Sequence, residues 1–318
     1  RMSRGLGDVY KRQIEERYII DTDPGDDIDD AFAITLAVKA KLDLVGITTV
    51  FRNSVQRAKM TKMLLRLCGR DDIPVCAGVD TAVVQKMQYL LPPELLEKEM
   101  KDGFYTLPQY LPEMDNENIS DEHAVDFIIR KARELKGNLV IIAIGPFSNV
   151  AMAIRKAPDI IPLIKEIRLI GGYYTKDIPE WNVACDPECA RVMYSSGIPI
   201  KAIGLDLTLQ CGLSNETVEK LKSFKDGTNK LLCTMLGKWF AHYGYDKPIM
   251  HDPLVIASIL DPEIVGFERK NVLIGLQGEE RNKTIMQQNK TLENSEIEVG
   301  LTVDPEKFFA IFDKYIFN

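Results

Sequence analysis

The chain has 318 residues, with 40 Lys and Arg against 47 Asp and Glu, a formal net charge of −7, 45% hydrophobic and 27% charged residues. These are the proportions of a folded globular protein, which excludes fibrous and disordered classes. Its scattered Lys and Arg leave no basic patch to offset repulsion from phosphate backbones and anionic headgroups, so neither nucleic acid nor a membrane is an expected partner.

Residues 1–17 open with RMSRGLGDVYKRQ, which lacks the apolar stretch of a secretory signal and offers little to bury. They are expected to be a disordered or appended extension. Residues 18–318 read as one domain, since no linker-like boundary interrupts them. No apolar run nears the roughly 20 residues that span a bilayer. Six cysteines (Cys68, Cys76, Cys185, Cys189, Cys211, Cys233) in a chain of this kind are expected to be free thiols in a reducing cytoplasm.

From Tyr18 onward, short β-rich apolar runs alternate with segments of helical period. Strands are expected at Tyr18–Asp21, Leu42–Thr49, Leu139–Ile144, Glu166–Ile170 and Ile200–Gly204. Helices are expected near Asp29–Ala40, Ser54–Cys68, Asp121–Lys136, Asn149–Lys156 and Pro187–Ser195. The pattern implies an α/β fold, doubly wound, with a mostly parallel open sheet flanked by helices in a single large domain. Val79–Ser120, rich in Pro, Glu and Lys, reads as a flap or insertion. After Leu213 the chain is mostly helical through Phe240, returns to strand-like pieces at Val272–Leu276 and Glu298–Val303, and closes with an amphipathic helix at Pro305–Tyr315.

The strongest chemical signal is DTDPGDDIDDAFAI, Asp21–Ile34, between the first strand and the first helix, the junction where open α/β sheets bind ligands. Asp21, Asp23, Asp26, Asp27, Asp29 and Asp30 crowd together with no Lys or Arg among them. Such repulsion calls for a hard divalent cation, Ca²⁺ or Mg²⁺, on carboxylate oxygens. The plainer alternative is that Asp29 and Asp30 favour a helix N-terminus and the others are solvated turn residues. An EF-hand is excluded because its turn glycine falls where Asp26 stands, and no phosphate-cradling glycine loop is present. A haloacid-dehalogenase-type phosphotransferase would use Asp21 as nucleophile and Asp23 as acid/base, but no later acidic pair closes its metal site.

Further along stand Arg52-Asn53, IAIGPFSNVA at Ile142–Ala151, PEWNVACDPECA at Pro179–Ala190 and His251-Asp252-Pro253-Leu254. Taken singly, Gly145-Pro146 is a turn, and Asp186-Pro187 and Asp252-Pro253 read as helix caps followed by Pro in the first turn. A lone Trp is more often core than a stacking platform, and Cys185 with Cys189 lacks the partners of a zinc site. Together with the aspartate cluster, and in this order, they resemble the inosine-uridine preferring nucleoside hydrolases from about Tyr18 to Tyr315. The first motif is two residues longer than the family's usual form, Arg52 replaces a glycine, and a His-Gly near the end of the flap is replaced by Lys101-Asp102-Gly103-Phe104.

The resemblance implies Ca²⁺-dependent hydrolysis of the N-glycosidic bond of ribonucleosides by water that Asp23 activates. It implies metal ligation by Asp23, Asp30, Asp252 and the Ile144 carbonyl. Asp29, Asn53, Glu180 and Asn182 would hold the ribose, Trp181 would line the pocket, and His251 would protonate the leaving base. Homodimers or homotetramers are common in the family. Which of Asp26, Asp27 and Asp29 meets metal or ribose is left open, as is any part for His242, Tyr243 and Tyr245 near the base. A relative that binds nucleoside or ribose without cleaving it is the alternative reading. His123 is expected on the surface of its helix.

Overall fold

The computed structural model describes residues 16–84, 100–101, 104–225 and 227–317. Along the chain, β1 (Arg17–Thr22), α1 (Asp29–Lys39), β2 (Leu44–Thr49), α2 (Ser54–Leu67) and β3 (Val75–Ala77) form the first unit. A hairpin of β4 (Met100–Lys101) and β5 (Phe104–Tyr105) precedes α3 (Ala124–Leu135), β6 (Leu139–Ala143), α4 (Ser148–Lys156) and β7 (Ile164–Ile170). Then come α5 (Trp181–Cys185), α6 (Pro187–Tyr194), β8 (Ile200–Ile203), α7 (Leu205–Thr208), α8 (Asn215–Lys222), α9 (Gly227–Tyr243) and α10 (His251–Leu260). The last strands are β9 (Val265–Ile274), β10 (Thr284–Gln287) and β11 (Ser295–Val303), and α11 (Pro305–Ile316) closes the chain.

Nine strands form one sheet in the order β10-β9-β11-β8-β7-β6-β1-β2-β3. From β11 to β3 every neighbouring pair is parallel, whereas β9 and β10 are added antiparallel at one edge. The expected α/β class with a mostly parallel sheet is therefore found, with an antiparallel edge that the sequence did not reveal. The strand expected at Val272–Leu276 is longer and starts earlier, at Val265.

Alternation along β1 shows why both faces must be covered. Ile19 joins the apolar layer of α3, α4 and α6, with Phe127, Val150 and Met193, while Ile20 joins the layer of α1, α2, α10 and α11, with Phe32, Leu64, Leu254 and Phe308. Successive strand side chains point to opposite faces, so a doubly covered strand reads as an unbroken apolar run. Helix α1 is buried along nearly its whole length, from Asp29 to Val38, because it is packed against α2, α10 and α11 as well as the sheet.

After β3 the chain crosses to the other side of β1 and resumes at β6. The carboxyl ends of β1 and β6 thus flank the point where strand order reverses, which opens a crevice there. No helix of the described residues is long and apolar enough to cross a membrane. All six cysteines are free thiols, as expected. His123 is exposed and caps α3, its Nδ1 accepting from the Val125 amide at 3.3 Å. Of the N-terminal extension, residues 1–15 lie outside the described residues, while Glu16 pairs with Lys165 and Arg17 already belongs to β1. Of the flap, residues 85–99, Asp102 and Gly103 lie outside the described residues.

Candidate active site

The crevice holds a cavity of 320 Å³ lined by Asp23, Asp26, Asp27, Asp29 and Asp30 from the first motif, Ile144 and Ile170 from strand ends, Pro179–Asn182, Leu205, Trp239, Tyr243, Tyr245, His251 and Asp252. Its floor is acidic. Asp29 and Asp30 occupy the first turn of α1, where the helix dipole favours them, yet neither caps the helix. Their carboxylates meet that of Asp252, with ligand oxygens of all three within 4.8 Å of one another. Asp252 is likewise no cap: it lies inside the first turn of α10, and its amide donates to Asp29 Oδ2 at 3.0 Å. Helices α1 and α10 therefore present their N-terminal carboxylates to one point.

Asp30 Oδ1 accepts from the Thr22 hydroxyl and from the Asp23 amide at 3.0 Å, which ties the end of β1 to α1. Burial and neighbouring carboxylates push the pKa values of Asp23, Asp29 and Asp252 well above the usual range. Burial also raises Asp30, to about 6. Such a set of buried oxygen donors fits a hard divalent cation, whose charge removes the repulsion. Ile144, just past the end of β6, lines the same cavity, and its carbonyl accepts from Asn182 Nδ2 at 2.8 Å, leaving a second lone pair for a cation.

The two aspartates inside the lengthened stretch of the motif take separate parts. Asp26 is turned into the wall: Arg57 Nη2 donates to it at 2.8 Å and the Tyr105 hydroxyl at 2.6 Å, with Arg52 Nη1 at 4.0 Å. Burial alone would raise its pKa, but Arg57 and Arg52 outweigh that and hold it below the usual value. Asp27 stands on the aromatic side, hydrogen-bonded to Trp239, and burial raises it to about 7.

Glu180 caps α5, Oε1 accepting from the Asn182 amide at 2.9 Å and Oε2 from the amides of Val183 and Gly172 at 3.1 and 3.0 Å. Burial still raises it. Asn182 spans two strand ends, donating to Ile144 and to Ile170 at 3.1 Å. Trp181 stands edge-on to Phe51. His251, the first residue of α10, is half-buried, and its Nδ1 is 2.7 Å from Thr208 Oγ1. Burial pushes its pKa down to about 4, so the resting imidazole is neutral at pH 7.

The structure thus brings Asp23, Asp29, Asp30, Ile144, Glu180, Trp181, Asn182, His251 and Asp252 to one cavity. Asn53 is not among the lining residues: its Oδ1 caps α2 through the Gln56 amide at 3.3 Å and its Nδ2 donates to the Tyr105 carbonyl at 3.1 Å. The physical reason is local. Phe51, Arg52 and Asn53 all have positive φ, and Arg52, in the place of a glycine, lays its guanidinium 4.2 Å from the Tyr105 ring centroid and 5.7 Å from that of Trp181. Tyr243 and Tyr245, stacked with ring centroids 5.5 Å apart, line the cavity with Trp239, while His242 packs against Tyr243 and is outside the lining.

Sequence reasoning missed Thr208, Trp239, Asn149 and Arg57. Asn149 Nδ2 donates to Asp21 Oδ1 at 2.8 Å and to the Thr49 carbonyl at 3.0 Å, anchoring the floor below Asp23. Asn149 stands in the IAIGPFSNVA stretch without being singled out there, and Thr208, Trp239 and Arg57 are marked by no motif, since their partners at the site are distant in sequence.

Residues 18–310 match the model of a family described as inosine-uridine preferring nucleoside hydrolase. A probable uridine nucleosidase 2 of Oryza sativa subsp. japonica is 30% identical over 96% of this chain and 94% of its own length. A pyrimidine-specific ribonucleoside hydrolase of Escherichia coli O127:H6 is 29% identical, covering 95% and 97%. Among solved structures, a purine-preferring ribonucleoside hydrolase from Gardnerella vaginalis superposes with a TM-score of 0.81 at 27% identity, over 95% of this chain and 98% of that one.

Proposed function

Because the chain belongs to the inosine-uridine preferring nucleoside hydrolase family, we propose that it hydrolyses the N-glycosidic bond of ribonucleosides to ribose and free base, with Ca²⁺ held by its carboxylates. One observation carries this reading: Asp23, Asp29, Asp30, Asp252, the Ile144 carbonyl, Glu180, Asn182 and His251 converge on a single cavity. Asp23, Asp30, Asp252 and the Ile144 carbonyl would hold the cation. When bound, it lowers the pKa of water and offsets the repulsion of the cluster.

Cleavage of the C1′–N bond passes through an oxocarbenium-like state, as in glycoside hydrolysis. Water oxygen bonds to C1′ as the C1′–N bond breaks, the electron pair leaving with the base. Asp23 takes the water proton. The surrounding carboxylates stabilise positive charge growing on the sugar. Asp29, Glu180 and Asn182 orient the ribose hydroxyls; rigid placement of this kind removes orientational entropy from the barrier. Trp181 packs along the sugar, and the Trp239–Tyr243–Tyr245 wall offers flat apolar faces to a base. His251 assists the departing base, with Thr208 fixing its ring.

The test is ribose release from inosine, uridine, cytidine, adenosine and guanosine, with and without a chelator. Release that stops on chelation and returns with Ca²⁺ is expected. Binding without release from any of the five would instead favour a nucleoside-binding relative. Both bases belong in the panel because similar proteins are described as pyrimidine-specific and as purine-preferring.

A second expectation concerns Gly145. A Cβ there would lie 2.7 Å from Asp23 Oδ1 and 2.8 Å from Val50 Cγ1. Gly145→Ala should therefore displace the base and cost about 100-fold in kcat, the effect of a small misplacement of reacting groups. A circular-dichroism spectrum like that of the wild type should accompany the loss. Unchanged kcat would mean that Asp23 need not hold its position.

A further inference from the structure

Behind the cavity wall, beside the buried Arg52, lies a second guanidinium shut off from solvent. Arg57, in the first turns of α2, is 0% exposed. Its Nε donates to the Phe51 carbonyl at 2.6 Å and the Arg52 carbonyl at 3.1 Å. Nη1 donates to the carbonyls of Asp23 and, at 3.0 Å, Pro24, while Nη2 reaches Asp26 Oδ2 at 2.8 Å. One guanidinium thus joins the loop that leaves β1 with Asp23 to the loop that leaves β2, three successive residues of which have positive φ.

We propose that Arg57 is a positioning residue for hydrolysis, fixing the Asp23 main chain so that the carboxylate set is ready for a divalent cation. The inference rests on the roles assigned above to Asp23 and its neighbours. Geometry separates it from a simple charge effect. A planar fork with five N–H donors can serve two loops at once; a lysine ammonium, a point charge with three donors, cannot. As a bare charge beside the cluster, Arg57 would repel an incoming cation, and its loss would tighten metal binding. As a positioning group its loss weakens binding.

Asp26 makes the arrangement self-contained. It supplies the carboxylate that keeps a buried guanidinium neutralised, and the Tyr105 hydroxyl and Gln109 Nε2, which donates to the Asp26 carbonyl at 2.8 Å, hold the same loop from outside. Two variants keep the net charge of the wall: Arg57→Lys, and the double variant Arg57→Met with Asp26→Asn, which removes both members of the ion pair and leaves no buried carboxylate unpaired.

The experiment titrates each metal-free variant with Ca²⁺ alone in a calorimeter and measures kcat and KM on inosine and uridine. Both variants should bind Ca²⁺ about 10- to 100-fold more weakly, the range for groups that orient metal ligands from behind. The loss should appear in kcat, with KM changed less than about threefold, because the reacting groups rather than the sugar contacts are displaced. Wild-type Ca²⁺ affinity in either folded variant overturns the proposal. So does a lowered Tm with unchanged Ca²⁺ affinity and kcat, which would make Arg57 a strut for the fold alone. Should the wild type bind Ca²⁺ yet release no ribose, the proposed reaction fails while the titration still decides the part of Arg57.

Discussion

Asp23→Ala is expected to lower kcat for ribose release by about 10⁴-fold, the upper end for loss of a general base, since the same carboxylate is also assigned to the metal. Steady-state rates on the best substrate of the panel check it, and wild-type-like turnover would remove Asp23 from the role. The sharper expectation concerns stability. Asp23 is buried among Asp30, Asp26 and Asp21, and its pKa is raised first by burial and then by Asp30. A group disfavoured in its charged form by the fold weighs against folding at neutral pH. Asp23→Asn keeps shape and removes the charge, so the chelated variant should melt above the chelated wild type. With Ca²⁺ present the order should reverse, because the wild type gains more from a ligand that binds only the folded state. A buried side chain that served packing alone would lower Tm in both conditions.

The reversal follows from a division of labour that was only partly legible in the sequence. Periodicity located β1, β2, β6, β7 and β8 within a few residues, because doubly covered strands are continuous apolar runs and some of the helices between them have clear caps, as α6 has in Asp186 through the Cys189 amide at 3.1 Å. It missed β3, three residues long at the sheet edge, and misplaced the start of β9, whose GFERK stretch sets three charged residues in succession on the part of the strand that β10 does not pair with. The aspartates were visible as a cluster, but the sequence could not say which carboxylate faced which way. That depends on Arg57, Tyr105 and Trp239, which reach Asp26 and Asp27 from elements far along the chain. Asn53 shows the converse. The family resemblance implied a place at the ribose, whereas Asn53 follows the left-handed run from Phe51 and donates its amide to the Tyr105 carbonyl.

The leaving-group side gives the second large effect. His251→Ala should reduce the rate on inosine by about 100-fold or more, in the range of a lost acid–base catalyst. On p-nitrophenyl riboside, whose phenolate departs without help, the loss should stay below about 10-fold. Equal losses on the two substrates would take His251 away from the base. The local chemistry explains why the residue suits a poor leaving group. Burial keeps the imidazole neutral at rest, and its Nδ1 is engaged by Thr208 Oγ1 at 2.7 Å. A threonine hydroxyl that donates to Nδ1 would put the ring proton on Nε2, where it could be offered to the departing base. A donor fixed in this way strengthens its bond as negative charge builds on the departing nitrogen, where it is worth more than in the ground state. Thr208→Val, which removes the hydroxyl and keeps the side-chain shape, should then act in the same direction as His251→Ala and more weakly, again with the greater loss on inosine. A threonine that merely packed α7 against α10 would slow both substrates alike, so the ratio of the two rates, rather than either rate alone, identifies the pair.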